Sequence, residues 1–163
     1  EDLPNVARLL ARAYAGTPAA AAFAPEGRLD EWAAYLGQVI RASACGTFLP
    51  DASIVVAGER PDRPAAAIAV TRTSPKVWHV AQVAVDPLAR RRGHARQLVQ
   101  AVCDAAAAAG AAEVTLVVDE RNEAARALYA SMGFVERASL VYAARPRLTR
   151  VVAQEPALAV SAR

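Results

Sequence analysis

Val83-Ala-Val-Asp86-Pro87-Leu-Ala-Arg90-Arg91-Arg92-Gly93-His94-Ala95 decides how this chain is read. An apolar, strand-like run stops at Asp86-Pro87, three arginines follow, and Gly93 opens a long alanine-rich stretch. A helix that starts at such a glycine turn presents unpaired backbone N–H groups and the positive end of its dipole, so the junction is a cradle for an anion. Arg90, Arg91 and Arg92 add charge and forked donors suited to phosphate. The segment has no G-x-x-x-x-G-K-[ST], which argues against a P-loop nucleotide site. It also lacks the three-glycine dinucleotide fingerprint with an acidic residue about 20 positions downstream.

Downstream, Glu113-Val-Thr-Leu-Val-Val-Asp119 leads into Asn122-Glu-Ala-Ala-Arg-Ala-Leu-Tyr129-Ala-Ser-Met-Gly133-Phe134. Arg90-x-x-Gly93-x-Ala95 resembles the [QR]-x-x-G-x-[GA] signature of the GNAT N-acetyltransferase superfamily, and the second stretch resembles that superfamily's N-x-x-A-x-x-[LF]-Y-x-x-x-G-F. Each is a weak pattern alone. Together, in this order and joined by a strand, they carry the resemblance over about residues 53–142. It implies an α/β (α+β) fold with a mixed, mostly antiparallel twisted sheet of about six or seven strands, splayed at the cofactor site and flanked by about four helices. It also implies acetyl-CoA as cosubstrate and no metal.

Hydrophobic periodicity supplies the elements. Leu3 to Tyr14 and Leu29 to Ala44 repeat apolar residues at helical spacing, with a loop or broken helix between them. In the family the resemblance points to, that intervening region lines the acceptor site. Ser53 to Glu59 and Pro64 to Thr73 read as a hairpin turned at Arg60-Pro61-Asp62-Arg63, and Trp78 to Val85 as the next strand. Gly93 to Ala109 reads as an amphipathic helix with Gly110 as its stop. Asn122 is a helix cap ahead of Ala125, Leu128, Tyr129 and Met132, and Gly133-Phe134 starts a last strand or hairpin through Tyr142. Residues 1–145 read as the GNAT domain. Residues 146–163 read as a tail that adds a strand or an interface segment, with Leu148 to Ala153 or Ala157 to Val160 able to extend a homodimer contact by analogy with the family. Family members begin with a short strand, whereas this chain opens at Glu1-Asp2-Leu3-Pro4, so the sequence reads as a fragment.

At 163 residues the chain suits one domain. Its 55% hydrophobic content is inflated by alanine, and no apolar run reaches the ~18 residues of a membrane span. The start has no signal-peptide pattern. Cys45 and Cys103 are too few and too distant for a disulfide framework or zinc set, which suits a reducing cytoplasm, with Cys103 a core residue. The net charge of +3 is adequately explained by a small anionic ligand. Nucleic acid would call for basic residues interleaved with aromatics over a broad surface, and the nine Phe, Trp and Tyr residues are scattered.

The resemblance also distributes roles. Phosphate binding falls to Arg90, Arg91, Arg92, Gly93, His94 and Ala95. Pantetheine and the acetyl carbonyl fall to the main chain of Val83, Ala84 and Val85, whose side chains are core. Tyr129 would be the general acid that protonates the departing thiolate, since a phenol near pKa 10 can donate to sulfur; a purely structural tyrosine in the helix stripe is the other reading. An attacking amine must lose a proton, and its base is the open role. Counting back from Arg90 to a position where several relatives carry glutamate gives His79, placed by strict alternation on the face of Ala81, Val83 and Val85. Gln82, ordering a water, and Asp119 or Glu120 are the alternatives. Asn122 reads as a cap and also as a contact to the pantetheine arm. The activity so implied is acetyl transfer from acetyl-CoA to a primary amine of a small molecule or protein, by direct attack in a ternary complex. A GNAT-fold module that binds acyl-CoA without turnover is the alternative. Glu26, Asp30 and Glu31 alone do not advertise the acidic acceptor site that a polycationic amine would need.

Overall fold

A computed structural model describes residues 2–41, 45–140, 143–144, 152–153 and 157–162. Helices α1 (Leu3–Tyr14), α2 (Ala20–Phe23) and α3 (Leu29–Arg41) come first. Strands β1 (Thr47–Phe48), β2 (Ile54–Val56), β3 (Ala66–Ser74) and β4 (Val77–Val85) follow, and then α4 (His94–Ala108), β5 (Glu113–Asp119) and α5 (Glu123–Ser131). The chain closes with β6 (Val135–Leu140), β7 (Ala143–Ala144), β8 (Val152–Ala153) and β9 (Ala157–Ala162). Residues 42–44, given to the second helix by its periodicity, lie outside the described residues.

The seven-stranded sheet runs β1-β3-β4-β5-β9-β6, with β2 also on β3, and β7 pairs with β8 separately. Only β4 and β5 are parallel; every other pair in the sheet is antiparallel. The sheet is thus mixed and mostly antiparallel, as the resemblance implies. Ala157–Ala162 lies inside it, bonded to β5 on one side and β6 on the other. Of the other tail segment considered for an interface, Val152–Ala153 forms the small ribbon with Ala143–Ala144, and residues 148–151 lie outside the described residues.

One apolar layer covers each face. Ile68, Val70 and Val80 of the sheet pack against Leu98, Val99 and Val102 of α4, with Tyr129 and Phe134 closing the layer. On the opposite face Ala67 and Ala84 meet Leu9 and Leu10 of α1 and Trp32 and Leu36 of α3. The small sheet residues there leave room for Trp32, whose ring is 1% exposed. Cys103, expected in the core, is only partly buried at its edge.

The local signals largely act as read. Asn122 Oδ1 accepts from Ala125 N–H at 3.1 Å and caps α5. Gly110 is left-handed at φ 72°, with Ala111 N–H donating to Ala106 O at 2.9 Å and Gly110 N–H to Ala107 O at 2.9 Å. That is the paired bonding of a Schellman stop. The hairpin is shorter than its sequence pattern: Arg60 and Arg63 form an isolated bridge across the turn, but on the first strand only Ile54–Val56 is paired.

Candidate active site

The site is built where β4 and β5 part. Their pairing runs from Val77–Glu113 to Val80–Leu116 and stops there, although β4 continues to Val85 and β5 to Asp119. Beyond that point, among the described residues, β4 keeps β3 as its only strand partner. Asp86 N–H donates to Ala65 O on the β3 side at 2.8 Å. Successive N–H groups alternate between the edges of a strand, so Val83 and Val85 turn theirs toward the opening while Ala84 turns its own toward β3. The side chains of Val83 and Val85 pack on the α4 layer, as core.

A bulge sets which side chains share this region. Ala69 pairs with Gln82 but Val70 pairs with Val80, so Ala81 is an extra residue in β4. An extra residue reverses the alternation beyond it. His79 therefore lies on the face of Gln82 and Ala84, opposite Val83 and Val85, which corrects the shared face expected from strict alternation. Its Nδ1 is 2.9 Å from Thr115 Oγ1 on the paired strand, and burial lowers its pKa below 6.5. Burial thus favours the neutral imidazole.

Past the opening the chain enters the anion cradle. Pro87–Ala89 form a tight turn whose cap, Asp86, accepts from Leu88 N–H at 3.0 Å. Arg91 and Gly93 adopt left-handed φ of 64° and 85°. The first helical bond of α4 runs from Gln97 N–H to Gly93 O at 3.0 Å, which leaves the N–H groups of His94, Ala95 and Arg96 ahead of the ladder. A β-carbon on Gly93 would meet no atom within 4 Å, so the glycine serves its positive φ and keeps the cradle's approach open. Arg91 and Arg92 are exposed. Arg90 is exposed as well, and its Nη2 donates to Ala13 O at the end of α1, 2.8 Å away.

Asp86, read from sequence only as the strand's stop, is the anchor of this turn. It is 2% exposed and accepts from Arg12 Nε at 2.8 Å and from Arg63 Nε and Nη2 at 3.0 and 3.1 Å. The Arg63 guanidinium, with help from Leu88 N–H and Arg12, holds its carboxyl at a pKa of about 2 against desolvation. An Asp before Pro is a legible cap. Its arginine partners, 74 and 23 residues away, are not legible from the sequence.

On the α1/α3 side of the opening, Tyr14 O–H donates to Gln82 Oε1 at 2.5 Å, Gln82 Nε2 to Tyr35 Oη at 3.4 Å, and Tyr35 O–H to Ala81 O at 3.2 Å. Tyr14, Phe23, Trp32 and Tyr35 form one aromatic cluster, with Phe23 and Tyr35 centroids 4.8 Å apart. Tyr14 and Tyr35 were not singled out in the sequence. Burial raises both phenol pKa values, and Tyr129 raises that of Tyr14 further. Tyr129 is 5% exposed, packs on Phe134 at 5.7 Å, and burial pushes its pKa to about 12. Its hydroxyl has no hydrogen-bond partner among the described residues. Asp119 is ion-paired with Arg121. Glu26 and Asp30 pair with Arg28, and Glu31 accepts from the N–H of Glu26 and Arg28. The carboxylates of Glu26, Asp30, Glu31 and Asp119 are thus all partnered. No cluster of metal-ligating side chains occurs among the described residues.

The model of the acetyltransferase (GNAT) family matches residues 9–134, and the chain belongs to that family. No curated protein matches it. Among solved structures, the ribosomal-protein-S18-alanine N-acetyltransferase from Escherichia coli superposes with a TM-score of 0.68 at 21% identity, over 99% of this chain and 86% of that one. A structure of the NatC complex bound to Gag peptide and CoA gives 0.63 at 20% identity, over 99% and 90%. A Bacillus subtilis acetyltransferase in complex with CoA gives 0.53 at 17%, over 63% and 71%. At these identities the likeness concerns the fold.

The anchor can be tested by its acid response. The lowered pKa of Asp86 contributes stability above about pH 4, lost as pH falls through about 2, and the shift from 3.8 corresponds to about 2 kcal/mol. Asp86→Asn should lower urea-unfolding stability by about 2 kcal/mol at pH 7 and flatten this acid-dependent loss. A variant as stable as the parent, with the same acid profile, would remove Asp86 as the anchor.

Proposed function

We propose that the protein is an acetyl-CoA-dependent N-acetyltransferase that acetylates a primary amine of a small molecule or protein by direct attack in a ternary complex. The observation that carries this is a continuous track of backbone donors without a strand partner, one of which, Val83 N–H, is held by the Gln82 side chain. Val83 and Val85 N–H face the opening, and the strand leads straight into the left-handed turn at Arg91–Gly93 and the start of α4. Acetyl-CoA, when bound, supplies an activated thioester and a chain of phosphates. The residues present suit both ends: backbone N–H groups of Gly93, His94 and Ala95 with Arg91 and Arg92 for phosphate, and the free edge of β4 for pantetheine and the acetyl oxygen. Asn122 Oδ1 is committed to its cap, and its amide nitrogen is the group left for the pantetheine arm.

Fixed donors aimed where negative charge develops need not reorganise during reaction, which is the role given to the Val83 and Val85 N–H groups. Tyr129 holds its proton well above neutral pH and has a hydroxyl free to deliver it to the leaving sulfur. The amine meets uncharged oxygens of Tyr14, Gln82 and Tyr35, which suits binding in the neutral form. His79 remains the proposed final acceptor of the amine proton, reached through water because its Nδ1 is engaged with Thr115. That engagement also favours the second reading, an acyl-CoA-binding module without turnover.

Two variants test the assignment. Gly93→Glu, which puts a carboxylate in the cradle, should abolish acetyl-CoA binding by calorimetry while the protein stays folded; retained affinity would refute the cradle. Tyr129→Phe should keep acetyl-CoA affinity and slow CoA thiol release over an amine panel by about 10²–10⁴-fold. Unchanged turnover would return Tyr129 to a packing role. Binding without thiol release from any amine would select the second reading.

A further inference from the structure

Gln82 is a buried amide, 7% exposed, beside the opening, and its carbonyl is engaged twice. Oε1 accepts from Tyr14 O–H at 2.5 Å and from the N–H of its own neighbour Val83 at 3.2 Å. Nε2 donates to Tyr35 Oη, and Tyr35 O–H donates to Ala81 O. The extra residue Ala81 puts Gln82 on this face, with Val83 N–H pointing into the opening next to it. The Val83 donor, which the proposed function assigns to the acetyl oxygen, is therefore already bonded to a carbonyl of the protein.

We propose that Gln82 is a positioning residue that guards this donor: an incoming acyl carbonyl must take Val83 N–H from Gln82 Oε1, and Gln82 then stays held by Tyr14 and Tyr35. The proposal rests on the function proposed above. An amide oxygen and a thioester oxygen are both neutral acceptors, and one N–H makes one well-aligned bond, so the two compete directly. The exchange is feasible because Tyr14 O–H still satisfies Oε1 once Val83 is given up, and no buried carbonyl is stranded. CoA with a free thiol has no carbonyl to offer and leaves the guard in place. The guard consequently lowers the affinity for acetyl-CoA without touching the affinity for CoA, and recloses over the donor once the acetyl group has left. Without it, discrimination between acetylated and free cofactor should widen.

The ratio of the two affinities is the readout, and it needs no acceptor amine. Calorimetric titrations of acetyl-CoA and of CoA would be run at pH 8 on the parent, on Gln82→Met, and on Gln82→Glu. Met has similar length and no acceptor for Val83 N–H. The charged oxygen of Glu holds that N–H more strongly. The preference for acetyl-CoA over CoA should rise about three- to tenfold in Gln82→Met, the worth of one neutral hydrogen bond, and fall below the parent's in Gln82→Glu. Either variant suffices if the other does not fold. A preference unchanged in a folded variant, or affinities for both ligands that weaken together, would make Gln82 merely structural and overturn the proposal. A folded parent that binds neither ligand would instead refute the proposed function.

Discussion

The parallel pairing of β4 with β5 lasts only from Val77 to Val80 on one strand and Glu113 to Leu116 on the other, and the rest of the structure is arranged around that short contact. Backbone N–H and C=O groups are obligatory hydrogen-bonding groups, so two neighbouring strands that separate leave a row of them to be satisfied by something else. The fold supports the separation from both sides. Ala81, the extra residue of β4, falls immediately after the last paired residue, where a bulge bends and twists the strand. β5 keeps its other edge bonded to β9 as far as Asp119.

The end of α1 ties the two halves of the site together with three consecutive residues. Arg12 bonds Asp86 at the end of β4, Ala13 O receives Arg90 from the cradle, and Tyr14 bonds Gln82 beside the opening. Arg63 brings the β2–β3 turn to the same buried carboxylate. The glycine turn at the start of α4 and the tyrosine side of the opening, which the sequence presents as separate segments, thus share a support at the end of α1.

Much of this was legible because it is local. The glycine turn at Arg90–Ala95, the cap at Asn122 and the stop at Gly110 each act within a few residues of themselves, and their sequence signals read correctly. The hydrophobic stripes of α1, α3, α4 and α5 likewise marked residues that pack in the two apolar layers. What escaped depends on register or on long-range pairing. His79 went to the wrong face because strict alternation cannot see a bulge at Ala81, which leaves no residue-type signal. Asp86 showed in the sequence only as the end of a strand, and its bonds to Arg12 and Arg63 span 74 and 23 residues. Tyr14 and Tyr35 carried no local signal, because their common partner Gln82 lies 68 and 47 residues away in the chain. The three-residue β2 shows the same limit, since apolar alternation marks what could pair and not where the partner strand ends.

The central claim is that the backbone of the open edge of β4 and the start of α4 form one ligand track. Titrating acetyl-CoA into ¹⁵N-labelled protein and following amide resonances tests it most directly. The account predicts that Val83, Val85, Gly93, His94 and Ala95 shift together along a single saturation curve, with Ala84, whose N–H is committed to β3, moving far less. Saturable binding that leaves the Val83 and Val85 amides unmoved, or that shifts a different surface, would contradict it.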